Sequence, residues 1–195
     1  MEAQKLGVYR ETAPGEQRVA LLPASVRNVR ARGLAVWVET GAGARVGISD
    51  GHYARAGAGI VTRDQLFTAA DVLVGARAPN VPLDHRFRDG QILICLLEPL
   101  RTPGLTWHWA NQGLTTVAMD LLPPGFAVTP PLTATSAGYA GAVVALLEHL
   151  VRDGVLVIDL EDSLTAAIVV THHREVLHDE TWRRIRAEIA LAGLP

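Results

Sequence analysis

Two arginines, two acids and a group of hydroxyl side chains punctuate the apolar runs of this 195-residue chain. Arg18, in "GEQRVA", carries a planar guanidinium whose paired donors fit a carboxylate bidentately. It either grips such a ligand or pairs with Glu11 or Glu16 to fix its own loop. Arg77 closes the run "VGARAP", either as an anion site or as a surface arginine after a strand. It cannot serve as a proton donor at neutral pH. Glu98, in "LLEPL", stands before Pro99 and has the chemistry of a general base if burial raises its pKa. Otherwise it caps the next helix or pairs with Arg101. Asp120 ends "TTVAMD", and Thr133, Thr135, Ser136 and Tyr139 stand near a helix start, where free N–H groups can bind anions.

Other groups offer less chemistry. Lys5 is the only lysine and precedes the first strand, which disfavours imine chemistry on an enzyme lysine. Cys95, in "ILICLL", is a lone thiol without an internal disulfide partner and reads as a buried strand residue of a reducing compartment. "WHW" (Trp107, His108, Trp109) reads as a helix with one tryptophan buried. His172 and His173 are adjacent at a strand end, with side chains expected on opposite sides, so a shared metal is not expected. Asp159, Glu161 and Asp162 read as a solvated strand edge or turn. "GAGARVG", Gly41 to Gly47, has the spacing G-x-G-x-x-x-G rather than that of a dinucleotide fingerprint, and reads as a structural turn.

The elements that position these groups alternate. "KLGVYRE", "LAVWVET", "DVLVGARAP", "GQILICLLEP" and "LTTVAMD" read as strands, separated by helices such as "LLPASVRNVRARG" and "TPGLTWHWANQG". In the first helix Pro23 sits in the opening turn, Ser25 is a candidate cap, Val26 and Val29 point inward, and Gly33 terminates. "SDGHYARAG" opens on Ser49 or Asp50 as cap. Runs of apolar residues between helices imply a mostly parallel sheet covered on both faces, a doubly wound α/β architecture. After a loop bearing Pro123, Pro124, Pro130 and Pro131 comes a helix rich in Gly, Ala and Ser. Then "GVLVIDL" and "AAIVVTH" read as a hairpin, followed by a terminal helix with Trp182, Ile185 and Ile189 on one face and Asp179 as cap.

Length and composition fit one soluble globular domain over 1–195, with net charge −2 and 49% hydrophobic residues. No basic stripe suggests a nucleic-acid partner, and no apolar run suggests a signal peptide or a membrane span, so a cytoplasmic protein is expected.

Beyond these readings, "GVYRETAPGEQRVALLPASV", "VWVETGAGARVGISDGHYARAGAGIV", "DVLVGARAP", "TTVAMDLLP" and "AGYAGAV" occur in the order seen in one family. Residues 1–150 resemble the first segment of the N-terminal domain of alanine dehydrogenases and of the α-subunits of proton-translocating NAD(P) transhydrogenases. Residues 154–178 resemble the segment that returns to that domain, and 179–195 add a terminal helix. In the family a complete NAD-binding Rossmann domain lies between the two segments. Here Val151-Arg152-Asp153-Gly154 joins them directly.

The resemblance implies a flavodoxin-like sheet with a C-terminal hairpin and helix, and one pocket shared by Arg18, Arg77, Glu98, Asp120, Ser136 and Tyr139. Arg18 matches the family arginine that holds the substrate carboxylate. Arg77 falls where alanine dehydrogenases carry a lysine, and Glu98 near their acid–base histidine. The loop after Asp120 lacks the charged residues and glutamine with which transhydrogenases hold the nicotinamide ring. The expectation is therefore a repurposed, non-redox relative with no cofactor and no metal. It would bind a small or polyketide-like carboxylate and act as a cyclase, isomerase or lyase by proton transfer, with Glu98 and Asp120 as catalytic groups. The alternatives are a non-catalytic module binding a small acid or a partner, and a dehydrogenase subunit completed by a Rossmann protein in trans. A homodimer through residues 125–150 is expected, with neither nucleic acid nor membrane as partner.

Overall fold

A computed structural model describes residues 3–82, 85, 87–123, 126 and 135–191. Its centre is an eight-stranded sheet. Strands β1 (Lys5–Val8), β2 (Ala35–Glu39), β3 (Gly59–Val61), β4 (Val72–Arg77), β5 (Ile92–Leu96) and β6 (Thr115–Ala118) run parallel. With β9 (Val169–His172) and β10 (Glu175–Val176) they stand in the order β10-β9-β6-β5-β4-β1-β2-β3. The longer parallel strands, β2-β1-β4-β5-β6, keep the flavodoxin-like order, and the short β3 extends the β2 edge.

The sheet has a core on each side because its strands are apolar at successive positions. Leu6, Val8, Val36, Val38, Val72, Val74 and Ile94 face helices α1 (Pro23–Ala31), α2 (Asp50–Arg55) and α5 (Ser136–Leu150). Leu73, Leu93 and Cys95 face α3 (Arg63–Ala69) and α4 (Pro103–Asn111). Burial on both faces erases the polar alternation of a half-exposed strand, which explains the unbroken apolar runs. Gly7 is required by this packing: a Cβ there would lie 2.8 Å from Leu66 Cδ1 and 2.9 Å from Ala70 Cβ.

Local chemistry sets the helix ends, not always as expected. Pro23 opens α1, but Leu22 is the cap position, so Ser25 lies inside the helix. Ser49 caps α2, its hydroxyl and backbone N–H both meeting His52 Nδ1. The "GAGARVG" stretch is a turn: Gly41 and Gly47 have φ of 76° and 72°, and the Gly41 N–H donates to Asp50. In α4, Trp109 is buried while Trp107 is exposed.

The C-terminal quarter departs most from expectation. "GVLVIDL" and "AAIVVTH" do not pair with each other. Helix α5 passes straight into β7 (Val151–Arg152), which turns through Asp153-Gly154 and pairs with β8 (Val155–Leu156). Both turn residues have positive φ, 50° and 78°, as a two-residue type I′ hairpin loop requires. Asp162 then caps α6 (Ser163–Ile168) by accepting the Thr165 N–H at 2.8 Å, so "AAI" is helical and only "VVTH" is strand. Asp159 and Glu161 are exposed at the turn before it, the second of the two readings for these acids, and the Asp162 side chain also meets His149 Nε2 at 2.7 Å.

The C-terminal hairpin is β9–β10, turning at His173 and Arg174, which both have positive φ. In α7 (Asp179–Leu191), Asp179 is the first helical residue rather than the cap; His178 Nδ1 accepts the Thr181 N–H. The inward face is Thr181 and Ile185, while Trp182 is exposed because α7 is rotated toward Thr181. No described helix is long and apolar enough to cross a membrane.

Candidate functional site

Ligands of a doubly wound sheet bind beyond the carboxyl ends of its strands, where strand order reverses. Here that point lies between β1 and β4. Arg18 and Glu16 reach it from the loop after β1, Arg77 ends β4, and Glu98 follows β5.

These side chains form a continuous ionic chain. Arg18 donates from Nε to Glu16 Oε1 at 2.8 Å and from Nη2 to Glu16 Oε2 at 2.5 Å. The same carboxylate accepts from Arg77 Nε at 3.4 Å. Arg77 Nη1 lies 3.2 Å from Glu98 Oε1, and Arg101 Nη1 lies 3.4 Å from that oxygen. Of the two readings for Arg18, pairing with Glu16 is realised. Burial pushes the Glu16 carboxyl up, but the side chain and backbone N–H of Arg18, with the charges of Arg18 and Arg77, hold it down at about 2. Glu16 in turn raises the Arg18 guanidinium above its ordinary value, against burial.

Exposure divides the chain into a fixed half and an open half. The Arg18 and Glu16 side chains are 14% and 6% exposed; Arg77 and Glu98 are 40% and 39% exposed. Glu98 is thus paired with Arg101, as one reading held, and lacks the burial that the general-base reading needed. Its φ of 48° is uncommon for a residue with a side chain. Asp120 supports that backbone: its two oxygens accept the N–H groups of Leu97 at 2.7 Å and Glu98 at 3.0 Å. Asp120 therefore acts on the peptide that carries Glu98, not through a free carboxylate.

The hydroxyl groups are bound inside the fold. Ser136 Oγ accepts the Val19 N–H at 3.2 Å, tying the start of α5 to the arginine loop. Thr135 caps α5 by accepting the Gly138 N–H at 3.1 Å. Tyr139 is fully buried; its hydroxyl donates to Gly75 O at 2.7 Å, and its ring lies 5.3 Å beneath the Arg18 guanidinium. Thr133, and most of the proline-rich loop, lie outside the described residues.

One residue of the site was not singled out from the sequence. Glu11, two residues beyond the Tyr9 that follows β1, is 4% exposed and accepts the Ala76 N–H at 2.6 Å. The Arg77 N–H is 3.4 Å from the same oxygen. Burial pushes the Glu11 carboxyl up to about 7, opposed by those N–H groups and by Arg18 and reinforced by Glu16. The available signal was position: an acid just past the first strand of a doubly wound sheet lies at the switch point. By sequence Glu11 is a candidate partner for Arg18, a place that Glu16 takes in the fold.

The His172 and His173 rings lie 3.9 Å apart rather than on opposite sides, because His173 leaves the strand at a φ of 48°. Among the described residues no group of three or more His, Cys, Asp or Glu is placed to hold a metal ion.

Comparison with known proteins places this arrangement in context. Residues 7–140 match the family model described as "Alanine dehydrogenase/PNT, N-terminal domain". The chain is 39% identical over 120 residues to the NAD(P) transhydrogenase subunit alpha of Cereibacter sphaeroides, covering 61% of this chain and 23% of that one. It is 34% identical over 153 residues to the alanine dehydrogenase of Mycobacterium tuberculosis, covering 76% of this chain and 40% of that one. The chain thus spans well under half the length of these curated relatives. The crystal structure of transhydrogenase from Sinorhizobium meliloti superimposes with a TM-score of 0.58 at 33% identity, over 62% of this chain and 36% of that chain.

Proposed function

The chain belongs to the alanine dehydrogenase/transhydrogenase N-terminal domain family, and from that premise we propose that it is a repurposed, non-redox relative that binds a small carboxylate at the Arg18–Arg77 edge. The observation that carries this reading is the Arg77–Glu98–Arg101 arrangement at the strand ends. Glu98 is a half-exposed carboxylate held between two guanidinium groups by contacts of 3.2 and 3.4 Å. A carboxylate ligand has the same chemistry and can replace Glu98 on Arg77 at small cost, because exposed ion pairs are worth about 0–1 kcal/mol. Glu16, buried, and Arg18, largely covered and paired with it, keep Arg77 aimed at the exchange position.

Displacement gives Glu98 a second role. Released from Arg77 and covered by a bound acid, its carboxylate gains the burial that a general base needs and can accept a proton from the ligand, with Asp120 holding the peptide that presents it. That supports proton-transfer chemistry, as in an isomerase, cyclase or lyase. Independence from nicotinamide is supported by the joint between α5 and β8: the two-residue turn Asp153-Gly154 leaves no place for a domain at that point.

Calorimetry tests the reading, with NADH and NADPH in one series and small keto, amino and aromatic acids in the other. Acid binding that weakens at least tenfold in Arg18→Ala, without nicotinamide binding, is the expected outcome. Micromolar nicotinamide binding would contradict it.

A second reading, a partner-binding module, has its own support. Val155, Val157 and Leu160 are each 40–43% exposed, close in sequence to the end of α5. The inward face of α5, including Ala142, Val143, Leu146 and Leu147, is already covered within the chain, which reduces the need for a homodimer through 125–150. Sedimentation at several concentrations distinguishes a monomer from such a dimer.

A further inference from the structure

We infer that Glu11 is a proton-coupled positioning residue: its carboxyl anchors the end of β4 that carries Arg77, and it takes up a proton from solvent when a carboxylate arrives on the arginines. The inference rests on the anion-binding reading above and adds to it a mechanism of control.

The anchoring is geometric. Pairing between β4 and β5 shifts register between Val74 and Arg77, so Gly75 and Ala76 leave the regular ladder before Arg77 pairs with Leu96. Side chains from elsewhere hold them instead. Tyr139 of α5 donates to Gly75 O at 2.7 Å, and the Tyr9 hydroxyl donates to Arg77 O. Glu11 Oε1 accepts from Ala76 N at 2.6 Å and faces Arg77 N at 3.4 Å. Both tyrosines act on carbonyls. Glu11 alone among the three acts on N–H groups, and it alone can change charge while doing so.

The surroundings decide which group titrates. Glu16 and Arg18 approach Glu11 from the loop after β1, Arg77 from β4, Tyr9 from its own segment, and Tyr139 from α5. Cys95 of β5 lies behind Tyr9. Burial raises Tyr9, Tyr139 and Cys95, so they stay neutral at physiological pH, whereas Glu16, held at about 2, stays ionised. Glu11, at about 7, is the member of this set that changes state near neutrality. A cleft of about 410 Å³ lined by Arg10, Glu11, Thr12, Gly41, Ala44 and Arg45 adjoins it, and puts two more cations, Arg10 and Arg45, on that side.

The sign follows from linkage. A ligand carboxylate seated on Arg77, with Glu98 kept beside it on Arg101, adds negative charge near Glu11 and favours its neutral form. Affinity for a carboxylate is therefore greatest with Glu11 protonated and falls as pH rises through about 7, by at most tenfold per pH unit.

The test uses the whole chain with pyruvate and benzoate as probes, titrated calorimetrically between pH 6 and 8 in MOPS and in Tris. The expected result is weaker binding at higher pH and proton uptake, seen as a buffer-dependent heat, with both effects absent from Glu11→Gln. Binding that is independent of pH and buffer in the wild type overturns the proton coupling while leaving the anion site intact. No binding of either probe overturns both. If Glu11→Gln does not fold, the ¹³C carboxyl resonance of Glu11 in the wild type decides. A midpoint near neutrality that rises on adding benzoate supports the inference, and a midpoint unmoved by the probe overturns it.

Discussion

Glu11 and Ala76 stand 65 positions apart in sequence, yet the Glu11 carboxylate accepts the Ala76 N–H at 2.6 Å. The contact closes the switch point between β1 and β4 with a titratable group, and it makes the stability of the fold depend on pH. Glu11 moves from an ordinary 4.5 to about 7 on folding, so the folded chain favours its protonated form. Its stabilisation is fully present below pH 4.5 and is lost as pH rises to about 7. Glu16 behaves oppositely: it drops to about 2, so its stabilisation is present above pH 4.5 and is lost as pH falls toward 2. Together they place the contribution of the site highest near pH 4.5. Urea unfolding across pH 2–8 should show the decline above pH 4.5 removed in Glu11→Gln, a difference of at most about 3 kcal/mol between pH 4.5 and 8. An unchanged pH profile in that variant would sink the assignment.

Gly75 has no room for a side chain. A Cβ there would fall 1.9 Å from Tyr9 Cζ and 2.1 Å from its hydroxyl, and the Tyr9 ring is buried with nowhere to swing. Gly75→Ala should cost more than about 3 kcal/mol or prevent folding. Thermal melting reads the loss; a variant melting within a few degrees of the wild type would mean that Tyr9 has another place to go.

Tyr139→Phe tests the α5 anchor. It deletes the donor to Gly75 O, and the buried carbonyl is left without that bond at a cost of about 1–3 kcal/mol. The ring beneath Arg18 is retained, so carboxylate binding should weaken far less than in Arg18→Ala. Equal losses of affinity in the two variants would show that the hydroxyl itself meets the ligand.

The turn that joins α5 to β8 needs glycine. Gly154 has a φ of 78°, and its Cα would lie 2.9 Å from a Cβ placed on Gly33, so the hairpin packs tightly on the end of α1. Gly154→Ala should destabilise by about 1–2 kcal/mol through its backbone conformation, measured by denaturant unfolding. A neutral result would mean that the turn changes type at little cost.

Much of this architecture was legible because parallel strands buried on both faces leave unbroken apolar runs, as in "DVLVGARAP" and "ILICLL". The same criterion failed at "AAIVV". Burial makes a short helix and a short strand look alike there, and the deciding feature was the Asp162 cap three residues before Thr165. Arg18, Arg77, Glu98 and Asp120 lie along one sheet edge, linked through Glu16 and the Glu98 backbone, where the family resemblance implied a shared pocket. Their pairings were not legible, since Arg18 had Glu11 and Glu16 as equal candidates by sequence. Only the fold, by drawing Glu11 across to β4, leaves Glu16 to the arginine. The buried acid was missed for that reason.

The most direct test of the central claim is an NMR titration that follows the arginine Nε–H signals of the ¹⁵N-labelled chain while pyruvate, benzoate or NADH is added. The account predicts that the carboxylates shift the Arg77 and Arg18 signals saturably, with Arg101 following as Glu98 changes partner, and that NADH leaves them in place. Shifts produced by NADH at these arginines, or carboxylate shifts confined to arginines elsewhere, would contradict it.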